Sequence, residues 1–289
     1  MAAGVALFAG APGAGRLGAA EPFFFVQLSD PQLGMFTENR DFAQDAANYA
    51  FAVATVNRLK PAFVVITGDL VHKPGDAAQI AEYRRISAQI DPAIPVHHLA
   101  GNHDVGDVPT PASLAAYVKL FGPDRFAFRH GGLAGIALNS SLIHSPQEAP
   151  AALAEQETWL RAELAKARAD GARHIVIFQH HPWFLKSGDE ADRYFNIPAA
   201  RRAAYLALFR EFGVRYLFCG HYHRNAEARD GDLVTVTTGA VGKPLGGSKS
   251  GFRVAVVRDD EIEHRFYELG DLPTKIDPKV SLTAPPAKK

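Results

Sequence analysis

The chain is poor in sulfur, with one cysteine and two methionines among its 289 residues. A single thiol, Cys219, cannot form an intramolecular disulfide, and its place in the apolar run 216–219 predicts a small buried side chain. An excess of charge is also missing, because Lys plus Arg and Asp plus Glu each number 31. With no basic run either, neither nucleic acid nor an anionic membrane is an expected partner. An anionic substrate must therefore be held by local charge.

Long apolar runs are scarce as well. Residues 21–289 contain no run of about 18 apolar residues, so we expect no transmembrane helix. Residues 1–20 are rich in Ala and Gly and end in small residues before Glu21, which is typical of a secretory leader. However, no Lys or Arg precedes the apolar part, and Pro12 interrupts it. We expect residues 1–21 to be a leader or disordered, and both a cytoplasmic and an exported location stay open.

Apolar runs and helical patterns alternate from Phe23 onward, and 47% hydrophobic residues can fill a sizeable core. The predicted strands are 23–28, 62–67, 96–99, 174–178 and 215–218, and the predicted helices are 45–60, 77–90, one opening at Pro111, 153–169 and 199–212. This βαβ order predicts an α/β fold with a largely parallel sheet. Runs 126–129 and 136–139 flank Gly131-Gly132 as in a hairpin. Later β-rich runs are expected to add antiparallel strands: 233–237, 252–257 and 262–267.

The sequence contains no evident repeat or linker, so residues 22–270 are interpreted as one domain. Residues 271–289 are rich in Pro and Lys and are expected to form a peripheral tail.

Polar residues directly follow several of the apolar runs. The segments are Ser29-Asp30-Pro31-Gln32, Gly68-Asp69, Gly101-Asn102-His103-Asp104, Gln179-His180-His181-Pro182 and Gly220-His221-Tyr222-His223. Because the carboxyl ends of adjacent parallel strands meet in one crevice, we expect these side chains to converge. Carboxylates, amide oxygens and imidazoles are ligands of divalent metal ions. The sequence therefore predicts a metal centre.

The predicted ligands are more numerous than one tetrahedral ion requires. They are Asp30, Gln32, Asp69, Asn102, His180, His221 and His223. A carboxylate such as Asp69 can bridge two ions, so two divalent ions about 3.5 to 4 Å apart are the natural hypothesis. Their identity among Mn, Fe, Zn and Mg stays open.

These motifs carry a family resemblance. Gly68-Asp69, Gly101–Asp104 and Gly220–His223, in this order, resemble those of the calcineurin-like metallophosphoesterases. The runs that extend them, such as Phe178-Gln179-His180 and Gly220-His221-Tyr222-His223-Arg224-Asn225, resemble the calcineurin-like phosphoesterase domain-containing protein 1 group most closely. The resemblance implies a β-sandwich flanked by helices, in four layers of helices, sheet, sheet and helices.

The resemblance also implies how the ligands divide between two ions. One ion would be held by Asp30, Gln32, Asp69 and His223, and the other by Asp69, Asn102, His180 and His221. Most members of the wider family have His where this chain has Gln32. Since a Gln carbonyl is a weaker and harder donor than an imidazole, we expect the first site to be more labile and to favour Mn²⁺ or Mg²⁺ over Zn²⁺.

Two such ions can generate hydroxide near neutral pH for in-line attack on phosphorus. The leaving group needs a proton, and His103, next to Asn102, is the predicted donor, a role that the resemblance also implies. We expect Asp104 to orient the His103 ring. Arg224 is predicted to clamp a phosphate oxygen, and His72 to lie at the rim near the substrate.

The sequence is therefore interpreted as a metal-dependent phosphoester hydrolase, foremost a phosphomonoesterase. Phosphoserine or phosphothreonine in proteins is the substrate implied by the resemblance alone. A phosphodiesterase acting on nucleotides or lipid head groups stays open, because the same two-metal centre serves both classes. A non-catalytic phosphate-binding module is a further alternative, with Gln32 in its favour. The balanced charge argues against a DNA nuclease, and the oligomeric state stays open.

Overall fold

The computed structural model describes residues 21–283, so the predicted leader lies almost entirely outside the described residues. The strands are β1 Phe23–Leu28, β2 Val64–Ile66, β3 Val96–His98, β4 Phe126–His130, β5 Leu133–Ala137, β6 His174–Phe178, β7 Tyr216–Cys219, β8 Ala226–Asp230, β9 Leu233–Thr237, β10 Gly251–Val257 and β11 Ile262–Glu268. The helices are α1 Ala43–Leu59, α2 Ala77–Ser87, α3 Asn102–Val105, α4 Pro111–Phe121, α5 Ser140–His144, α6 Pro150–Ala169 and α7 Ala199–Glu211.

The strands form two mixed sheets. One has the order β11-β10-β1-β2-β3 and the other β4-β5-β6-β7-β9-β8. Strands β1, β2 and β3 are parallel, as are β5, β6, β7 and β9. The predicted hairpin around Gly131-Gly132 is present as β4 and β5, and β10 and β11 are antiparallel as expected. The parallel order follows from the helices that connect successive strands.

Strand β9 was predicted to add to the sheet as an antiparallel strand, and the structure differs. It pairs parallel with β7 and antiparallel with β8. Strand β8 was not predicted, because its sequence Ala-Glu-Ala-Arg-Asp has the polar composition of a turn. Strand β8 is the edge strand of its sheet and runs antiparallel to β9. Strand β9 therefore lies between β7 and β8 and runs parallel to β7.

Alternate side chains of the central strands fill two different layers. In β1, Phe25 points between the sheets, where its ring lies 5.7 Å from the ring of Phe178 and 5.3 Å from that of Phe218. Its neighbours Phe24 and Val26 belong instead to the core that includes the helices. Strands buried on both faces need continuous apolar runs, which explains the sequence pattern. The result is the predicted sandwich of two sheets flanked by helices.

The structure also bears on the single cysteine, the predicted tail and the length of the helices. Cys219 is buried and free. The described part of the predicted tail, residues 271–283, contains no helix or strand, yet Ile276 and Leu282 are buried against the core. Between residues 21 and 283, no helix has the length and apolar character that crossing a membrane requires.

Candidate metal centre

The predicted ligands lie just beyond the carboxyl ends of five parallel strands, from both sheets. Strands β1, β2 and β3 end shortly before Asp30, Asp69 and Asn102, and β6 and β7 end shortly before His180 and His221. Main-chain hydrogen bonds continue the sheets past the strand ends, for example from Gln32 N to Asp69 O at 2.8 Å. The fold therefore brings the motif segments to one edge of the sandwich.

Two groups of ligand atoms meet there and share Asp69. Asp69, His180 and His221 form one group, and Asp30, Asp69 and His223 form the other, with the ligand atoms of each group within 4.8 Å of one another. The Nε2 atom of His180 is 3.2 Å from Asp69 Oδ2, and that of His223 is 3.4 Å from Asp30 Oδ1. All five residues are buried. We call the first group with Asn102 the Asn102 half, and the second with Gln32 the Gln32 half.

The two amide residues join these groups in different ways. Asn102 Oδ1 is 3.1 Å from His180 Nε2. Gln32 is buried, and its Oε1 atom has no hydrogen-bond partner, although its Nε2 atom is 3.3 Å from His72 Nδ1. An unsatisfied buried acceptor costs about 1 to 3 kcal/mol, unless a cation binds it. The donor types and this orphaned oxygen both fit divalent metal ions.

The backbone is strained at five of the predicted ligands. The φ angle is 51° at Asp30, 39° at Gln32, 51° at Asp69, 65° at His221 and 54° at His223. Non-glycine residues rarely adopt this left-handed region, and each costs of order 1 to 3 kcal/mol. Such strain persists where the surroundings fix a side chain for function, so its concentration here marks the site.

The glycines of the motifs allow close approach between the ligand loops. A Cβ atom on Gly101 would lie 2.1 Å from Asp69 Oδ1, and one on Gly220 would lie 1.9 Å from Ser29 Oγ and 2.9 Å from Asp30 Oδ2. Any other residue at either position would displace a predicted ligand.

Burial and the neighbouring charges shift the pKa values of the cluster. Burial raises the pKa of Asp30, against the opposing effect of His223 and His180. Burial also works against ionisation of Asp69, but His180 and then the other histidines hold the pKa of Asp69 well below its usual range. For His180, burial disfavours the cation, yet the Asp69 carboxylate raises its pKa to about 9. A divalent cation bound here would compete with a proton for the His180 imidazole, so metal binding at this site should depend on pH.

Main-chain carbonyls orient the imidazoles. The Nδ1 atoms of His180 and His223 lie 2.8 Å from Thr67 O and 2.5 Å from Lys243 O. With Nδ1–H donating to a carbonyl, Nε2 is free to bind metal. His221 has the opposite arrangement, since its Nδ1 atom faces His180 and its Nε2 atom is 3.4 Å from the carbonyl oxygen of Tyr194.

A buried chain of hydrogen bonds, which the sequence analysis missed, supports Asp30. It runs through Arg253, Thr238, Gln27, Thr67, Ser29 and Asp30. At its end, Ser29 Oγ donates to Asp30 Oδ2 at 2.5 Å and accepts from Thr67 Oγ1 at 2.8 Å. A glutamine inside the otherwise apolar strand β1 was the available signal, because a buried polar side chain requires partners.

His103 lies beside the Gln32 half and faces His72. Its main-chain N–H donates to Asp69 Oδ1 at 2.9 Å, and its Nδ1 atom is 2.7 Å from His72 O. The rings of His72 and His103 stack at 4.8 Å. His72, which also contacts Gln32, therefore lies at the rim of the centre.

The contacts of Asp104 correct the expectation that it orients the His103 ring. Its carboxylate accepts hydrogen bonds from Leu70 N at 2.9 Å and Gly101 N at 2.8 Å. Because both its oxygens face these main-chain groups, Asp104 ties the Gly68-Asp69 loop to the start of α3, and His72 O provides the contact to the ring. Burial and the nearby Asp69 charge raise the pKa of Asp104 to about 7.

Two aromatic residues of the loop 185–197 were also missed. Tyr194 is 57% exposed, and its ring lies 5.0 Å from that of His221, while the ring of Phe195 lies 5.6 Å from it. The Tyr194 hydroxyl is 3.4 Å from Asn102 Nδ2. These side chains form a wall of the Asn102 half. Their loop has no periodic pattern, so only the adjacent pair of aromatic residues in a polar segment offered a signal.

Arg224, the predicted phosphate clamp, lies next to the centre without a described contact to a predicted ligand. Its guanidinium carbon is 5.2 Å from the centre of the Tyr222 ring, and it lines a cavity of about 370 Å³ beside the site. Its clamping role stays a prediction.

Comparison with known protein families agrees with this geometry. The family model described as calcineurin-like phosphoesterase matches residues 25–225, which include all seven predicted ligands. This chain belongs to the calcineurin-like phosphoesterase family. As a member of that family it is a phosphoric ester hydrolase, and the family implies divalent metal ions as cofactors.

Curated relatives are similar to this chain over most of their length. The chain is 38% identical to the serine/threonine-protein phosphatase CPPED1 of Bos taurus over 88% of this chain and 86% of that protein. It is 36% identical to CPPED1 of Homo sapiens over the same shares of each. The predicted resemblance to this group is confirmed.

Solved structures confirm the fold. A dimetal phosphatase from Danio rerio matches with a TM-score of 0.61 at 17% identity, covering 86% of this chain and 96% of that chain. The purple acid phosphatase PPD1 from yellow lupin matches with a TM-score of 0.64 at 14% identity, covering 87% of this chain and 52% of that chain.

Proposed function

We propose that this protein is a two-metal phosphomonoesterase that acts on phosphoserine and phosphothreonine in proteins. The observation that carries the two-metal proposal is the pair of ligand groups that share the buried Asp69. The choice of a protein monoester is supported by the name of the CPPED1 relatives at 36 to 38% identity.

In this proposal the Gln32 half and the Asn102 half would each hold one divalent ion, with Asp69 available to both. When bound, the two ions would polarise the phosphoryl oxygens and lower the pKa of the attacking water. The Gln32 half, rich in oxygen donors, would favour Mn²⁺ or Mg²⁺, whereas the two imidazoles of the Asn102 half suit Zn²⁺ or Fe as well.

His103 would protonate the leaving oxygen. Its Nδ1–H donates to the carbonyl oxygen of His72, which fixes the ring and leaves Nε2 as the nitrogen that can carry the transferred proton, and its main-chain N–H donates to Asp69. A partly exposed imidazole held in this way can pass a proton to a group bound at the centre. Stacking on His72 limits its rotation further.

The test compares two esters of one phenol on protein reconstituted with Mn²⁺. We expect p-nitrophenyl phosphate to be hydrolysed at least about tenfold faster, in kcat/KM, than bis(p-nitrophenyl) phosphate, and a phosphoserine peptide to be a substrate. Faster hydrolysis of the diester would instead favour a phosphodiesterase. If neither ester were hydrolysed, a non-catalytic phosphate-binding module would be the better interpretation.

A further inference from the structure

A cavity of about 370 Å³ opens beside the metal centre, between the loop 185–197 and the segment that follows β7. The lining residues that matter here are Lys186, Glu190, Arg193, Phe195, Tyr222 and Arg224. Three of them are cations and one is an acid, and we call this cavity the cationic cleft.

The cationic cleft shares a wall with the predicted metal centre. Tyr222 stands between the predicted ligands His221 and His223 in sequence, and its ring lies 5.0 Å from that of Phe195. Phe195 in turn lies 5.6 Å from the ring of His221. A chain whose phosphorylated residue occupies the metal centre would therefore place its neighbouring residues at the cleft.

The acidic residues of the loop are engaged elsewhere. Glu190 accepts hydrogen bonds from Leu185 N and Lys186 N and from Asn196 Nδ2. Asp189 accepts one from Ser187 Oγ at 2.6 Å, and Asp192 accepts one from the first residue of α7 at 2.7 Å. These carboxylates keep their charge, but their hydrogen bonds are to the backbone, a hydroxyl and an amide of the loop and to the start of α7.

The cations of the cleft have no such partners. On the nearby edge strand β8, Asp230 pairs with Arg210 of α7, and Arg229 pairs with Glu227. By contrast, across residues 21–283 no carboxylate lies within 4 Å of the charged nitrogens of Lys186, Arg193 or Arg224. The cleft is therefore lined by three cations without ion pairs and one carboxylate, a net positive charge in a protein whose total charge is balanced.

Arg224 is held in place although it lacks a partner. Its side chain packs over the Tyr222 ring, and a Cβ atom on Gly246 would lie 2.4 Å from its guanidinium carbon. Its Nε atom is buried without a hydrogen-bond partner. A fixed guanidinium with a free donor is preorganised for an anionic oxygen.

We propose that the cationic cleft binds acidic residues that flank the phosphorylated residue of a protein substrate. This proposal rests on the proposed phosphatase function and narrows its substrate class to acidic phosphopeptides. A confined concave cavity with aromatic walls fits a peptide segment. An anionic membrane would instead require a broad basic surface.

The test measures the binding of two peptides that cannot be hydrolysed, because a difluoromethylene phosphonate replaces the phosphate ester of phosphoserine. One peptide has glutamates on both sides of this residue, and the other has glutamines. On protein reconstituted with Mn²⁺, we expect the glutamate peptide to bind about tenfold more tightly, as two or three charge-assisted contacts would give. The double variant Lys186→Glu/Arg193→Glu should lose this preference or reverse it, because the added carboxylates repel the glutamates.

The control reverses the same amount of charge at exposed positions on α2 and α6, with Arg84→Glu/Lys166→Glu. It should keep the preference. If charge reversal in the loop prevents folding, Lys186→Gln/Arg193→Gln provides the same comparison with a smaller perturbation.

Equal Kd values for both peptides on the wild-type protein would overturn the proposal, as would a preference that survives in the Lys186/Arg193 variants or disappears in the control. Binding of phosphatidylserine vesicles through the same residues, without a peptide preference, would also overturn it. The result does not depend on turnover. If p-nitrophenyl phosphate resisted hydrolysis, the proposed function would fail, yet a glutamate preference carried by Lys186 and Arg193 would still support the cleft.

Discussion

The Asn102 half and the Gln32 half of the metal centre share Asp69 but differ in their other donors. The Asn102 half adds two imidazoles and an amide, and His180 Nε2 lies 3.1 Å from both Asn102 Oδ1 and His221 Nδ1. The Gln32 half adds a second carboxylate, one imidazole and an amide whose oxygen has no partner. Nitrogen donors hold late transition metals more tightly than neutral amide oxygens do. The two halves should therefore bind their ions with unequal strength, and the Gln32 half should be the labile one.

Asp69→Asn removes the one residue common to both halves. We expect both ions to be lost and phosphatase activity to fall by more than about 10³-fold, since even outer partners of metal ligands cost about 10- to 100-fold. Metal content by mass spectrometry and kcat/KM for p-nitrophenyl phosphate measure this. Asp124→Asn is the matched control, because Asp124 is also buried but accepts a hydrogen bond from Asn139 and is not a predicted ligand. This variant should keep both ions and the activity. An Asp69→Asn protein that still held two ions would contradict a shared ligand.

His103→Ala leaves both halves intact, since no atom of its ring is a predicted ligand. Turnover should fall about 10²-fold, as loss of a general acid does, while the metal content stays unchanged. The loss should be smaller for esters with good leaving groups, which need less protonation. Equal losses along a series of phenyl phosphates with rising leaving-group pKa would argue against His103 as the acid.

Gln32→His makes the Gln32 half resemble the Asn102 half. An imidazole in place of the amide should slow metal loss from the Gln32 half about tenfold and shift its preference toward Zn²⁺. Release of Zn²⁺ to a colorimetric chelator follows the rate, and Gln44→His on the exposed side of α1 is the control. If the rate of release stayed at the wild-type value, residue 32 would not be a ligand.

Ser29→Ala disturbs the Gln32 half alone, because Ser29 Oγ donates to Asp30 Oδ2. We expect a loss of affinity for one ion of about three- to tenfold, at the low end for a residue that supports a ligand. Ser141→Ala removes another buried hydroxyl, one that has no partner, and should change nothing. Weaker binding of both ions in Ser29→Ala would mean that the halves are not independent.

The convergence of Asp30, Asp69 and His180 could be predicted because it depends on local rules. A continuous apolar strand followed by a polar residue is visible in one segment, and Asp30, Asp69 and His180 each follow such a strand. Parallel order then places them together without any knowledge of distances. The same reasoning gave the Phe23–Leu28 strand and the hairpin around Gly131-Gly132.

Other features depend on contacts between distant segments. Strand β8 has a polar edge sequence and forms only because β9 offers a partner. The carbonyl oxygen of His72 at the His103 ring, the Ser29 contact to Asp30 and the aromatic wall of Tyr194 and Phe195 all arise where separate loops meet. No local pattern encodes which of several nearby groups a side chain will contact. The sequence therefore suggested Asp104 as the partner of the His103 ring, whereas in the structure the ring contacts the carbonyl oxygen of His72.

The unequal strength of the two halves is tested most directly by the occupancy of each ion position after mild chelation. Crystals of the Mn²⁺-reconstituted protein would be soaked in a weak chelator, and anomalous diffraction would give both occupancies. We predict that the ion beside Asp30, Gln32 and His223 is lost first, while the ion beside Asn102, His180 and His221 stays. Equal loss at both positions, or earlier loss from the Asn102 half, would contradict the account.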